Sequence, residues 1–201
     1  MLLLAYDTET TGIARGHDYT NPDNPHLAAL TGILFDNEVN RIVSSINVMI
    51  EPTNWLMPPE AGAVNGLTTE TLSTLGIPLE AALVPFLRLA DSADLLIAHN
   101  CAFDQKIISA AIYRNYWKSD EDLAHNLVLL WQQKKQYCTM EASKPIVQAK
   151  NKRGALKYPK LSEAYEFFFN RPLDNAHSAN ADTIAVLEIY TALQSHGEVS
   201  L

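Results

Sequence analysis

The apolar run Leu2–Tyr6 breaks abruptly into Asp7-Thr8-Glu9-Thr10-Thr11-Gly12, and this junction constrains the chain more than any other feature. A short apolar stretch closed by turn residues reads as a buried strand. Residues two apart on a strand share a face, so Asp7 and Glu9 project together from its end. Two carboxylates converging there can share a hard cation, which prefers oxygen ligands. Gly12 allows the backbone to turn close to a ligand. Against this stands a plainer reading, a solvated acidic strand terminus with no ligand. Asp-x-Glu alone does not separate the two; the Thr-Thr-Gly that follows the strand makes the metal reading far more specific.

Two later clusters add acids in similar settings. Leu95-Leu96-Ile97-Ala98 is a second apolar strand, followed by His99-Asn100-Cys101-Ala102-Phe103-Asp104. It delivers Asp104 to the first turn of a helix, where the helix dipole favours a carboxylate. Phe103 is expected in the core, as most large apolar residues are. The third cluster is His177-Ser178-Ala179-Asn180-Ala181-Asp182, where Ser178 or Asn180 can cap a helix that Asp182 begins. Both clusters have the spacing His-x-x-x-x-Asp, so spacing alone does not choose a general base. Position does: His99 ends a buried strand and reads as a structural, hydrogen-bonded residue. His177 falls in the loop before the helix, free to arch over the site and take a proton from an attacking water.

Around these clusters, strands are expected at 2–7, 27–35, 41–50 and 94–98, with a short one at 137–138. Helices are expected at 79–90, 103–116, 121–133, 161–169 and 182–194, with Pro85 marking a break or kink in the first. The segments 14–26, 51–66 and 144–160 read as irregular, the second because Pro52, Pro58, Pro59, Gly62 and Gly66 crowd it. Three strands followed by alternating strand and helix point to an α/β sandwich with a mixed sheet. With no linker in view, 1–201 is expected to form a single domain.

The formal net charge is −8, but the charge is unevenly placed. From Lys134 to Lys160 eight basic residues face only Glu141, a net +7, which leaves −15 on the remainder. A phosphate-guiding strip beside an acidic metal pocket would produce this asymmetry, as would a loop that is merely solvated. Apolar runs are too short to span a bilayer, and the opening segment lacks the basic region of a signal peptide. Cys101 and Cys138 make no disulfide framework, so a reducing cytoplasm is the expected compartment.

Taken in order, the three motifs resemble those of the DEDDh (DnaQ-like) 3′→5′ exonucleases, which include polymerase III proofreading subunits, ribonuclease T and oligoribonuclease. Asp7-Thr-Glu-Thr-Thr-Gly12 looks like the first motif, His99-Asn-x-x-Phe-Asp104 like the second and His177-x-x-x-x-Asp182 like the third. Pro58–Thr68 resembles the connecting segment, although Asn65 stands where histidine is usual. The resemblance covers roughly residues 2–194. It implies a ribonuclease H-like fold, a mixed five-stranded sheet flanked by helices on both faces. It also implies two divalent cations, Mg2+ with Mn2+ as a substitute, held by Asp7, Glu9, Asp104 and Asp182, with His177 as general base. The expected reaction is hydrolysis of terminal phosphodiesters at single-stranded DNA or RNA 3′ ends, releasing nucleoside 5′-monophosphates. Thr10, Ile13 and Asn100 fall at positions expected to contact the terminal nucleotide, Ile13 as an apolar wedge. The alternatives are a proofreading subunit recruited by a polymerase and a catalytically dead nucleic-acid-binding module. The four acids and His177 argue against the latter, and the short tail after the last helix favours a stand-alone enzyme. Homodimers occur among such enzymes, and no sequence feature decides for one here.

Overall fold

The computed structural model describes residues 1–14, 16, 18–174 and 179–197. Three strands open the chain, β1 (Leu2–Thr10), β2 (Leu27–Asp36) and β3 (Arg41–Met49). They are followed by α1 (Pro59–Asn65), α2 (Thr69–Leu75), α3 (Leu79–Ser92), β4 (Leu95–Ala98) and α4 (Cys101–Tyr116). The remainder comprises α5 (Glu121–Gln132), β5 (Gln136–Cys138), α6 (Thr139–Val147), α7 (Leu161–Phe169) and α8 (Ala179–Ser195). The strands form one sheet in the order β3-β2-β1-β4-β5. β1, β2 and β3 pair antiparallel, while β4 runs parallel to β1 and β5 parallel to β4. This is the mixed five-stranded, ribonuclease H-like α/β arrangement that the motifs implied.

β1 is buried on both faces, and its alternation sorts the helices. Leu4 and Tyr6 point into a core built with Phe86 of α3, Ile107 and Ile108 of α4 and Trp131 of α5. Leu3 and Ala5 point the other way, against Val186 and Tyr190 of α8. On the first face Tyr6, Phe86 and Trp131 form an aromatic trio with ring centroids 5.5 to 6.0 Å apart. Gly32 of β2 makes room for it: a Cβ there would stand 3.1 Å from the Phe86 ring. β3 closes one edge of the sheet with mostly exposed residues, including Arg41, Ser44 and Ser45, the polar surface that an unpaired strand edge needs.

Three expectations from the sequence change. The stretch 51–66 is not wholly irregular, because α1 occupies Pro59–Asn65. Pro59 and Gly66 act as boundary signals: Pro opens the helix where no N–H partner is needed, and Gly66 closes it at φ 72°. α2 follows, capped by the Thr68 side chain, which accepts from the Thr71 N–H. The basic segment is also more ordered than a loop, since α6 runs through Lys144 and Pro145 and a hairpin follows it. Asn180 lies inside α8 and therefore does not cap it, while Ser178 falls outside the described residues. α3 continues through Pro85. Cys101 and Cys138 are free thiols. Among the described residues no helix is long and apolar enough to cross a membrane.

Replacing Phe86, which has no exposed surface, with alanine empties the centre of the aromatic trio. Phe86→Ala is expected to cost about 3–5 kcal/mol, read as a fall in the urea midpoint at unchanged m-value.

Candidate active site

The site exists because β1 is longer than its neighbour. β4 pairs with β1 only as far as Ala5↔Ile97 and ends at Ala98, whereas β1 continues to Thr10. The overhang carries Asp7, Thr8 and Glu9 past the end of the parallel pair. Such a crevice beyond the carboxyl ends of strands, where the chain leaves in two directions, is a usual place for ligands in α/β sheets.

Alternation along the overhang sends its acids to one face. Asp7 and Glu9 continue the Leu3–Ala5 side, which α8 covers. Asp182 in the first turn of α8 is four and eight residues before Val186 and Tyr190, which pack on that face. Residues at this spacing share a stripe on a helix, so the packing that docks α8 also aims Asp182 at β1. Asp7, Glu9 and Asp182 each offer a carboxylate oxygen within 4.8 Å of the others. Three oxygens so close, half-buried to buried, suit a hard divalent cation.

Asp104 arrives from the opposite face. It is 2% exposed, and its Oδ1 accepts from the Thr8 N–H at 3.1 Å and the Thr8 hydroxyl at 2.7 Å. The shortness of β4 leaves the Thr8 N–H without a strand partner, and the Asp104 carboxylate fills that position. Asp104 is therefore not one of the three converging oxygens, but its charge still reaches them. Burial pushes the Asp7 carboxyl well above the usual range, and Asp104, Glu9 and Asp182 push it further. Burial, then Asp182 and Asp104, raise Glu9 to about 7. Asp104 also rises to about 7 through burial, although the two bonds from Thr8 oppose the shift. A cation bound there would favour the ionised forms.

The two histidines separate as well. His99 Nε2 lies 3.0 Å from the Pro159 carbonyl and Nδ1 lies 3.0 Å from the Thr139 hydroxyl. A carbonyl only accepts, so Nε2 carries the proton and Nδ1 accepts from Thr139. Burial holds the ring's pKa near 4, so His99 is neutral, and it is the structural, hydrogen-bonded residue that its place after a strand suggested. His177 lies outside the described residues, two positions before α8 begins.

The remaining candidates divide. Ile13 is 82% exposed and, with Asn100, lines a cleft of about 620 Å³ that also includes Phe103 and Lys106. Phe103 is partly buried against the core and borders this cleft too. Asn100 takes the left-handed conformation, φ 78°, that turns the chain from β4 into α4. The Thr10 hydroxyl is occupied, donating to the Gly12 carbonyl at 2.6 Å. Gly12 is not crowded by the chain, for a Cβ there would meet nothing within 4 Å. Two residues with a part in the site carried no assignment from sequence. Thr8 holds Asp104, and its signal was the alternation that turns it away from Asp7 and Glu9. Asn65 donates to the Thr10 carbonyl at 3.2 Å and accepts from the Leu67 N–H at 3.1 Å. It thereby ties the end of α1 to the first motif.

Comparison with known proteins agrees with this geometry. The ribonuclease T-type family described as "Exonuclease" matches residues 4–190. No curated protein matches the sequence. Among solved structures, an exonuclease I whose structure was used to explain processivity superposes with a TM-score of 0.71 at 20% identity. It covers 96% of this chain and 41% of its own. E. coli exonuclease I bound to a dT13 oligonucleotide gives 0.71 at 19% identity, covering 98% and 41%. Exonuclease I from Methylocaldum szegediense gives 0.68 at 19% identity, covering 96% and 40%. The chain thus spans about two fifths of the length of these proteins.

The raised carboxyl pKa values predict how a cation acts on stability. A carboxyl raised on folding favours the folded state at pH below its ordinary range, and that contribution is lost as pH rises through the folded value. Here the loss centres on about 7 for Glu9 and Asp104. In chelator, the Tm is expected to fall between about pH 5 and about pH 8. Millimolar Mg2+ should raise Tm more at the upper end, where the carboxylates are ionised. A shift independent of pH in differential scanning fluorimetry would show that the cation binds elsewhere.

Proposed function

The chain belongs to the exonuclease family, and from that premise we propose that it is a metal-dependent 3′→5′ exonuclease acting on single-stranded DNA. The convergence of Asp7, Glu9 and Asp182 oxygens within 4.8 Å at the end of β1 carries this reading. Asp7, Glu9 and Asp182 hold one divalent cation, Mg2+ or in its place Mn2+. Asp104, fixed by Thr8, supports a second one directly or through water. Such cations, when bound, neutralise the phosphate oxygens and make water a better nucleophile.

The chain's own residues supply the rest. Asp7 shares its face of β1 with Glu9 and Asp182 and would help them hold a cation there. His177, two positions before α8 in the sequence, accepts a proton from the attacking water. The water oxygen then bonds to the terminal phosphorus, and the bond from that phosphorus to the penultimate 3′ oxygen breaks. A nucleoside 5′-monophosphate leaves, and the departing 3′ oxygen takes a proton from solvent to become the 3′ hydroxyl of the shortened strand. Ile13 and Asn100 line the cleft that Phe103 and Gln105, the chain neighbours of Asp104, also border, and are assigned to the terminal nucleotide, with Thr10 shaping the turn beneath it. Residues 1–201 act as one exonuclease unit. Single-stranded DNA is taken as substrate because E. coli exonuclease I has been seen with DNA oligonucleotides on this fold. RNA is the alternative to be compared with it.

With Mg2+, 5′-labelled single-stranded DNA is expected to give a ladder shortened from the 3′ end. The ladder should vanish with chelator or with Asp7→Asn. Parallel RNA and mismatched-duplex substrates rank the preference, and no 3′ shortening of any substrate would defeat the reading.

The two histidines should respond differently. His177→Ala is expected to lower kcat by about 10²–10⁴-fold with little change in Tm. His99→Gln should lose about 1–3 kcal/mol of stability through its disrupted, partly buried hydrogen bonds while the folded enzyme keeps its kcat. Equal kcat losses in both variants would remove His177 as the base.

A further inference from the structure

The basic segment between α6 and α7 folds into a hairpin. Lys150 bridges Leu156 antiparallel. The Lys157 N–H donates to the Ala149 carbonyl, the Asn151 N–H to the Ala155 carbonyl and the Gly154 N–H to the Asn151 carbonyl, each at 2.9 Å. The Asn151 side chain accepts from the N–H groups of Arg153 and Ala155 at 2.8 and 3.1 Å. Gly154 takes φ 80°, which the turn requires. Backbone bonds and an Asn-centred turn therefore give the tip a set shape.

Its base is fastened beside the acidic site. The Pro159 carbonyl accepts from His99 Nε2 at 3.0 Å, and His99 is the residue that follows β4, five before Asp104. The Lys157 ammonium donates to Glu163 at 2.6 Å, and Lys144 stands 4.1 Å over the Tyr158 ring. The hairpin thus rises from the same edge of the sheet as the carboxylates. Each arm has about four residues, so the tip reaches roughly 13 Å from its base at about 3.3 Å per residue.

Among the described residues, the charges on the tip meet no acidic partner. Lys150, Lys152 and Arg153 are exposed, and none forms an ion pair with the described residues, whereas Lys157 at the base does. The chain has 23 acidic residues against 15 basic ones, yet among the described residues it places none of those acids against the tip. Three unneutralised cations on a fixed projection beside an acidic pocket complement an extended polyanion whose end lies in that pocket.

We propose that hairpin 149–157 is a phosphate-binding rail for the single strand 5′ of the terminal nucleotide, with Lys150, Lys152 and Arg153 contacting backbone phosphates. The proposal rests on the exonuclease reading for what occupies the pocket, but binding tests it apart from cleavage. In chelator, fluorescence anisotropy compares 5′-fluorescein oligothymidylates of about 20 and about 4 nucleotides, lengths spanning typical single-strand site sizes. The wild-type chain should prefer the long strand. The triple variant Lys150→Gln, Lys152→Gln, Arg153→Gln should weaken that binding at low salt by about tenfold or more. It should also flatten the slope of log K against log salt by about 2, at about 0.7 per phosphate contact. Binding of the short strand and the Tm should stay as in wild type. The variant Lys150→Arg, Lys152→Arg, Arg153→Lys should restore both affinity and slope. Equal affinity and slope in wild type and the glutamine variant would overturn the rail, as would a wild type with no preference for length. Hairpin-dependent binding by a protein that cuts nothing with Mg2+ would leave the rail standing and overturn the exonuclease reading.

Discussion

Carboxylates of like charge resist being brought together, and the end of β1 is organised around overcoming that resistance. Asp7, Glu9 and Asp182 have oxygens within 4.8 Å of one another, and Asp104 adds a fourth charge from across the strand. Burial first, and then three acidic neighbours, disfavour the ionised form of Asp7. Such a cluster persists only where other contacts fix the backbone that carries it. Here they are the two-sided burial of β1, the packing of Val186 and Tyr190 under α8, and the paired bonds from Thr8 to Asp104. Stability is conceded locally so that a cation can gain by restoring the ionised forms.

The geometry follows from one mismatch of strand lengths. β4 has four residues and β1 nine, so β1 projects beyond the parallel pair with both faces available. Alternation then sends Asp7 and Glu9 towards α8 and Thr8 towards α4. Each face receives an acid from the first turn of its own helix, Asp182 from α8 and Asp104 from α4. Three converging oxygens on one side and a hydrogen-bonded carboxylate on the other form an asymmetric set, and the two sides are not interchangeable. A one-residue slip of β1 would exchange them, which is why the β1–β2 pairing from Leu2↔Asp36 to Glu9↔Ala29 matters to the chemistry.

Much of this was legible in the sequence because it depends on local pattern. The apolar run before Asp7, the period-two spacing of Asp7 and Glu9, and the placing of Asp104 and Asp182 in first helical turns all follow from chain periodicity. His99 as a structural, hydrogen-bonded residue followed from its place after a buried strand. What escaped notice depends on partners distant in sequence. Thr8 gains its role only because β4 stops early and leaves its N–H for Asp104. Asn65 matters because α1 comes back to the Thr10 carbonyl, 55 residues away. Pro59 and Gly66 looked like breakers of structure, but they bound a helix, since the same residues suit both purposes. The ordered hairpin was hidden for a similar reason, because composition reports charge and is silent on a turn built around one Asn side chain.

Charge separation links these levels. A chain with net charge −8 would repel a polyanion if its charge were spread evenly. Instead +7 is gathered between Lys134 and Lys160, and the most exposed part of it stands on a hairpin fastened to His99, beside the acids. The half-buried, neutral His99 therefore does structural duty for both regions: its strand leads to Asp104, and its Nε2 proton holds the base of the basic projection. Protonation would put an N–H at Nδ1, and the Thr139 hydroxyl would then turn to accept from the ring and donate to the Ala98 carbonyl, 3.3 Å away. The low pKa of His99 keeps that proton away near neutral pH, so the spacing between cationic rail and anionic pocket is set by a contact that does not titrate there.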